Sequence, residues 1–419
     1  SADRTFSASE ITSVRTPSFT WPALFGPSQD SRSREDATKL RLDWPETGPP
    51  VVWRSPLGSA YSSPIVSGDY LIVFHRVADE EILECKDSRT GETRWTFRGP
   101  TSFRDSFEYS SGPHATPVTD GDRVYAVGAE GRFYCVDLRT GERIWSRFLT
   151  REYDVPRGRY AVSGSPLLEG DLLIFNLGAR ERQAGIIALD KNTGETVWTA
   201  TDHGAGLATP RAAEIHGTRS IFVFTFDGLV CLAPETGQVR WIEDFRANNP
   251  ERINTSSPLV WEDLVLVSAH FKGSRCLRVL PNGERETVWE TVRDLQSQYS
   301  TVLGIDGFAY AFHAGNKTLR CVNLRDGTVN WQWPEPGIEG IGRGTAIAIG
   351  NRLVVYGEHG HLASLEMNSQ QPVVKSLTSV PLLQQPCYSS PAFANGLLYL
   401  TNEREIVCFD LRAAGQTEL

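Results

Sequence analysis

The run Asp137-Leu138-Arg139-Thr140-Gly141-Glu142-Arg143-Ile144-Trp145 occurs again and again along the chain. Copies stand at Asp87–Trp95, Asp190–Trp198 and Glu235–Trp241, with weaker ones ending at Trp289 and Trp331. A unit repeated at fixed spacing must pack against copies of itself, so the period sets the architecture before any single residue does. Each unit opens on small-small-Pro: Ser62-Ser63-Pro64, Ala115-Thr116-Pro117, Gly164-Ser165-Pro166, Ala208-Thr209-Pro210, Ser256-Ser257-Pro258 and Ser389-Ser390-Pro391. Ser300-Thr301-Val302 and Gly344-Thr345-Ala346 depart from that form. A tight hairpin follows, as at Gly68-Asp69, Gly121-Asp122, Gly170-Asp171 and Asn395-Gly396, then a β-branched strand such as Leu71–Phe74 or Leu353–Tyr356. A third strand leads into the Thr-Gly turn, and the Trp strand ends the unit.

Four antiparallel strands per unit and eight openings predict an all-β, eight-bladed β-propeller. The step of about 46 residues matches the ~40–50 of propeller blades. The last unit stops at Cys408-Phe409-Asp410-Leu411-Arg412 without a Trp strand, and a spare one, Val51-Val52-Trp53, precedes the first unit. Pairing the two closes the ring and removes two open sheet edges. The expected organisation is an extended N-terminal arm at 1–50, one propeller at 51–412 and a tail at 413–419. The arm carries an expected anchor at Trp21-Pro22-Ala23-Leu24-Phe25-Gly26-Pro27. The repeated tryptophans, Trp53, Trp95, Trp145, Trp198, Trp241, Trp289 and Trp331, are expected to fill the wedge between neighbouring sheets.

A net charge of −9 argues against nucleic acid or an anionic membrane surface as a general partner. No apolar stretch is long enough to span a bilayer. Cys85, Cys135, Cys231, Cys321 and Cys408 share one place before the closing turn, which reads as a small apolar residue on a buried strand.

In a four-stranded antiparallel blade the Gly-Asp and Thr-Gly turns share one face of the disc. The loops between strands two and three, and the blade-to-blade connectors, share the other. The long connectors belong to that second face, where binding is expected. Residues 96–114 carry Arg104, Asp105, Glu108 and Tyr109. Residues 146–163 carry Arg151, Glu152, Tyr153, Asp154, Arg157, Arg159 and Tyr160. These adjacent connectors read either as one binding lip or as solvated loops with local ion pairs. The residue before each opening supplies a second candidate set: Tyr61, His114, Ser163, Leu207, Thr255, Tyr299, Arg343 and Tyr388. Strand alternation lets this register face either the central channel or the sheet packing. Facing inward, it would suit a planar or anionic ligand.

His359-Gly360-His361 sits at a hairpin and lacks a third ligand, so no metal is expected there. Gly337, Gly340, Gly342 and Gly344 lack the Lys-Ser/Thr of a phosphate loop and read as a flexible connector. No motif in the chain specifies a reaction.

The small-small-Pro opening, the Gly-Asp hairpin and the Asp-x-x-Thr-Gly-x-x-x-Trp ending resemble the pyrroloquinoline quinone-type propeller repeat over residues 51–412. One branch of that family comprises quinoprotein alcohol dehydrogenases, which the resemblance associates with the quinone, calcium, an Asp base and often a vicinal Cys pair. This chain has no adjacent cysteines and no CxxCH haem motif. The other branch comprises cofactor-free propellers, including the lipoprotein of the outer-membrane β-barrel assembly machinery and extracytoplasmic receptor-kinase domains. The arm with Trp21-Pro22, Phe25-Gly26-Pro27 and Trp44-Pro45 looks like the leader of a bacterial envelope subgroup. The resemblance therefore implies a non-catalytic binding or scaffold propeller: periplasmic, monomeric, with a protein partner and no required cofactor. The alternatives are a quinone-dependent dehydrogenase, with quinone and calcium over the funnel, and a sensor or carbohydrate-binding propeller with sugar rings on Tyr61, Tyr299 and Tyr388.

Overall fold

The computed structural model describes residues 19–413, apart from 108, 159, 247–252, 301 and 336–339. The strands form eight antiparallel sheets ordered around a central axis as an eight-bladed propeller. Blade one shows the pattern: an inner strand Ile65–Ser67, then Tyr70–Val77, Glu80–Asp87 and the outer Thr93–Pro100. Blade eight takes Ala392–Ala394, Leu397–Thr401 and Glu405–Asp410 from the end of the chain and Val51–Pro56 from near its start. Trp53 lies opposite Cys408 and Pro56 opposite Glu405, so the ring closes through the spare N-terminal strand.

The repeated turn is a closed hydrogen-bond unit. The Asp87 carboxylate accepts from the N–H groups of Arg89 and Thr90, the Thr90 hydroxyl accepts from Glu92, and the Gly91 N–H returns to the Asp87 carbonyl. The same bonds recur from Asp137 and Asp190. The glycine is required twice over. At Gly141 φ is +73°, and a Cβ there would lie 2.5 Å from the ring of Trp95 in the preceding blade. Gly91 meets Trp53, Gly194 meets Trp145, Gly237 meets Trp198 and Gly327 meets Trp289 in the same way.

Each tryptophan lies against the next blade. Indole N–H groups donate to its backbone carbonyls: Trp53 to Ser88, Trp95 to Leu138, Trp145 to Lys191, Trp198 to Pro234, Trp289 to Leu324 and Trp331 to Asn368, at 2.7–3.3 Å. Trp241 is buried and carries the Arg285 guanidinium 5.3 Å above its ring. Turn and tryptophan are thus two halves of one joint. Across the strand pair, Cys85, Cys135, Cys231, Cys276, Cys321 and Cys408 sit opposite the tryptophans of their own blades. All seven cysteines are buried and free. Burial pushes the Cys85 thiol up to about 12, which keeps it an inert apolar residue.

The arm does not lie on the outside. Thr20–Trp21 adds to the inner edge of blade one, with Trp21 opposite Val66, and Thr119 of blade two donates to the Pro22 carbonyl. The Phe25 ring packs face-on against the guanidinium of Arg211 of blade four, and the backbone of residues 31–33 pairs with Ala348 of blade seven. The segment therefore crosses the axial channel from wall to wall. Trp21 and Phe25, 1% and 3% exposed, fill it. From there the chain passes blade eight, where Glu35 accepts from the Gly396 N–H, and blade seven, where Trp44 donates its backbone N–H to the Ser376 hydroxyl. It then enters the closing strand.

Candidate functional site

Above the arm the channel opens to the connector face as a blind funnel of about 410 Å³, within the usual range of small-ligand sites. Its floor is Leu24 and Phe25 of the arm. Just above runs a belt of hydroxyls from the middle residue of six of the eight openings: Ser63, Thr116, Ser165, Thr209, Ser257 and Ser390. This belt ties the blades together. The backbone N–H of each residue donates to the hydroxyl of the next blade: Ser390 to Ser63, Ser63 to Thr116, Thr116 to Ser165, Ser165 to Thr209 and Thr209 to Ser257, at 2.8–3.1 Å.

The register left open by strand alternation faces the channel. Tyr61, His114, Ser163, Leu207, Thr255, Tyr299 and Tyr388 line the funnel wall. Arg343 stands beside them in a neighbouring crevice with Tyr299 and Tyr388. Tyr61 packs edge-on to Tyr388 at 5.1 Å, and Tyr388 packs on Tyr299 at 5.1 Å. Arg343 lies 5.3 Å from the Tyr299 ring centroid, donates to Gln298 at 3.2 Å and is held by Glu358 at 3.2 Å. A second aromatic group, Phe107 with Tyr160 at 5.4 Å and Tyr109 6.4 Å from Tyr160, also lines the funnel.

The long connectors divide. Tyr160 and Tyr109 reach the funnel. Arg104 is exposed and pairs with Asp79 at 2.6 Å, while Asp105 folds its own loop by accepting from Phe107 and Tyr109 N–H groups. Tyr153 bonds Thr196 at 2.9 Å, Asp154 pairs with Arg182, Arg147 pairs with Glu152, and Arg157 covers the Phe103 ring. None of Arg104, Asp105, Arg151, Glu152, Tyr153, Asp154 and Arg157 lines the funnel. Glu108 and Arg159 lie outside the described residues. Phe107, His270, Phe271, Gln298 and the hydroxyl belt escaped the sequence reading. The belt's signal was present in the recurring Ser/Thr of the openings, which equally suits close packing.

Burial holds the His114 imidazole below its ordinary range and the Tyr61 and Tyr299 phenols well above theirs, so none is charged at neutral pH. Calcium needs six to eight oxygen ligands with carboxylates among them, and no Asp or Glu belongs to the described lining. The seven cysteines include no vicinal pair. These residues do not fit a calcium-held quinone. His361 is engaged with the Thr378 carbonyl at 3.0 Å, and the described residues hold no group of three metal-ligating side chains.

Eight blades built on this turn and closed by an N-terminal strand define a propeller of the pyrroloquinoline quinone-type repeat class. A family model described as outer membrane protein assembly factor BamB matches residues 41–152 and 78–333, and the chain belongs to that family. It is 24% identical over 250 residues to the outer membrane protein assembly factor BamB of Burkholderia pseudomallei, 56% of this chain and 59% of that one. It is 25% identical over 177 residues to the quinoprotein ethanol dehydrogenase of Pseudomonas aeruginosa, 39% of this chain and 27% of that one. The matches thus span between about a quarter and three-fifths of those relatives' lengths. Among solved structures, BamB from Moraxella catarrhalis superposes with a TM-score of 0.60 at 17% identity, covering 88% of this chain and 99% of that one. Quinohemoprotein alcohol dehydrogenase from Comamonas testosteroni gives 0.59 at 13%, covering 96% and 82%. Both likenesses are of fold. No helix among the described residues is long and apolar enough to cross a membrane.

Proposed function

We propose that this chain is a non-catalytic binding propeller of the bacterial envelope, with the blind funnel on its connector face as the recognition site. The observation that carries the reading is the funnel's chemistry: aromatic walls, a hydroxyl belt, neutral His114, and no carboxylate or metal-ligand set among the described lining. Such a surface can stack and hydrogen-bond a guest, and its described lining offers no carboxylate pair or metal-ligand set on which to build a reaction. An envelope setting is supported by the relatives named for outer-membrane assembly. The quinoprotein relatives supply the competing reading.

Titration with pyrroloquinoline quinone, with and without calcium, separates the two. Tryptophan fluorescence and calorimetry report binding, and a dye-linked alcohol oxidation assay reports turnover. The expected result is no calcium-dependent binding and no dye reduction. Saturable, calcium-dependent binding at one site per chain, with turnover, would replace the binding reading with the dehydrogenase.

A further inference from the structure

Arg211 breaks the propeller's internal symmetry. It is the first inner-strand residue after the Ala208-Thr209-Pro210 opening, where the other blades place Ile65, Val118, Leu167, Leu259, Leu303, Ile347 and Ala392. All eight positions are buried, and Arg211 is 6% exposed. Its guanidinium lies 4.0 Å from the centroid of the Phe25 ring, and its Nη1 has no hydrogen-bond partner. The nearest carboxylate acting on it, Asp30, is already paired with Arg34. Burial draws the guanidinium down to about 10, so it stays charged at neutral pH. A lone buried charge in place of an aliphatic residue is costly unless something compensates it.

The ring that the guanidinium packs on belongs to the funnel as well. Phe25 forms part of the funnel floor, and Thr209, two residues before Arg211, belongs to the hydroxyl belt. In five belt members, Ser63, Thr116, Ser165, Thr209 and Ser257, the oxygen accepts a backbone N–H. No acceptor among the described residues takes their own hydrogens, so each hydroxyl keeps a proton to donate. Donors ring the floor and an unpaired cation sits one aromatic ring beneath it. No acidic side chain among the described residues lines the cavity.

Resting on the funnel as the binding site, we infer that it selects a small organic anion, a carboxylate carried on a ring or other apolar body. The carboxylate is directed down toward the hydroxyl belt and Arg211, and the body is held between Tyr61, Tyr388 and the Phe107–Tyr160 pair. The arm is then part of the site, because Phe25 transmits the guanidinium's field to the floor.

The test compares 4-fluorobenzoate with its neutral counterpart 4-fluorobenzyl alcohol by fluorine NMR titration, on the full chain and on Arg211→Leu. Seven blades carry an aliphatic residue at this position, so the variant is expected to fold and to melt at or above the temperature of the parent. The parent should bind the carboxylate about tenfold or more tightly than the alcohol, a ratio that Arg211→Leu should abolish while leaving alcohol binding unchanged. Equal binding of the two probes, or a preference that survives in Arg211→Leu, would overturn the anion selectivity and leave the funnel standing as a binding site. Binding of neither probe would overturn both. A lower melting temperature in both Arg211→Leu and Arg211→Met would show that the arginine serves the fold instead, and would equally overturn the inference.

Discussion

At the scale of the residue, the Thr-Gly turn and the tryptophan explain one another. Gly141 adopts a left-handed φ to close its own turn and leaves room for Trp95 of the blade before it, so one missing Cβ serves two blades. Gly141→Ala should therefore combine backbone strain with a clash against a packed indole, costing about 1–3 kcal/mol in a urea melt. Gly121, with nothing within 4 Å of its would-be Cβ, is the control that isolates the backbone component. Equal losses at Gly121→Ala and Gly141→Ala would show that the tryptophan contact contributes nothing. The motif itself was plain in the sequence, since its spacing is local. That its glycine and tryptophan meet across a blade boundary was hidden, because the partners come from different copies of the repeat.

At the scale of the element, two N-terminal pieces do different jobs. Val51–Pro56 completes blade eight, whereas Thr20–Trp21 and the segment through Ser33 plug the channel. A chain beginning at Leu57 loses the closing strand and exposes two edges. It should melt at a markedly lower temperature and aggregate. A chain beginning at Pro50 keeps the ring and loses only the plug, so its melting temperature should fall less and the funnel should become a through-channel. If both shortened chains melt like the full one, closure and plug are idle. Closure could be read from the sequence, because a missing Trp strand at one end matched a spare one at the other. The route of the arm could not, since Trp21 and Phe25 signal burial without saying where. The hydroxyl belt shows the same limit: a small residue at each opening is visible, and the bond it makes to the next blade is not.

At the scale of the whole molecule, pH reaches stability through buried carboxyls. Burial raises Glu81, 2% exposed and accepting from the Ala129 N–H, to about 7, and raises Glu35, which ties the arm to blade eight, to about 7. Between about 4.5 and 7 the folded chain holds protons that the unfolded chain has released, so stability falls as pH rises through that window. The slope is at most about 1.4 kcal/mol per pH unit for each group. Glu84 works the other way. Although burial raises it, hydrogen bonds from His75, Lys86 and Thr93 outweigh this and hold it at about 2, so its contribution is lost only as pH falls from about 4.5 toward 2. The depressed His114 and His313 act the opposite way in the same window, so the expected signature is a difference: across pH 5, 6 and 7 the denaturation midpoints of Glu81→Gln and Glu35→Gln should gain on the parent's as pH rises. Curves parallel to the parent's would remove these two groups from the account.

What the sequence determined by itself was the periodic part: eight units, four strands each, the Trp-bearing turn and a ring closed by its own N-terminus. These follow from short-range chemistry repeated at constant spacing, which a linear reading can count. What only the tertiary structure decided was where unlike segments meet. The residue before each opening turned inward, the arm became the floor of the funnel, most of the charged connector residues went to local ion pairs and packing, and Arg211 came to rest unpaired beneath Phe25. Strand alternation allows two faces for every side chain, and the choice between them is made by packing against elements hundreds of residues away.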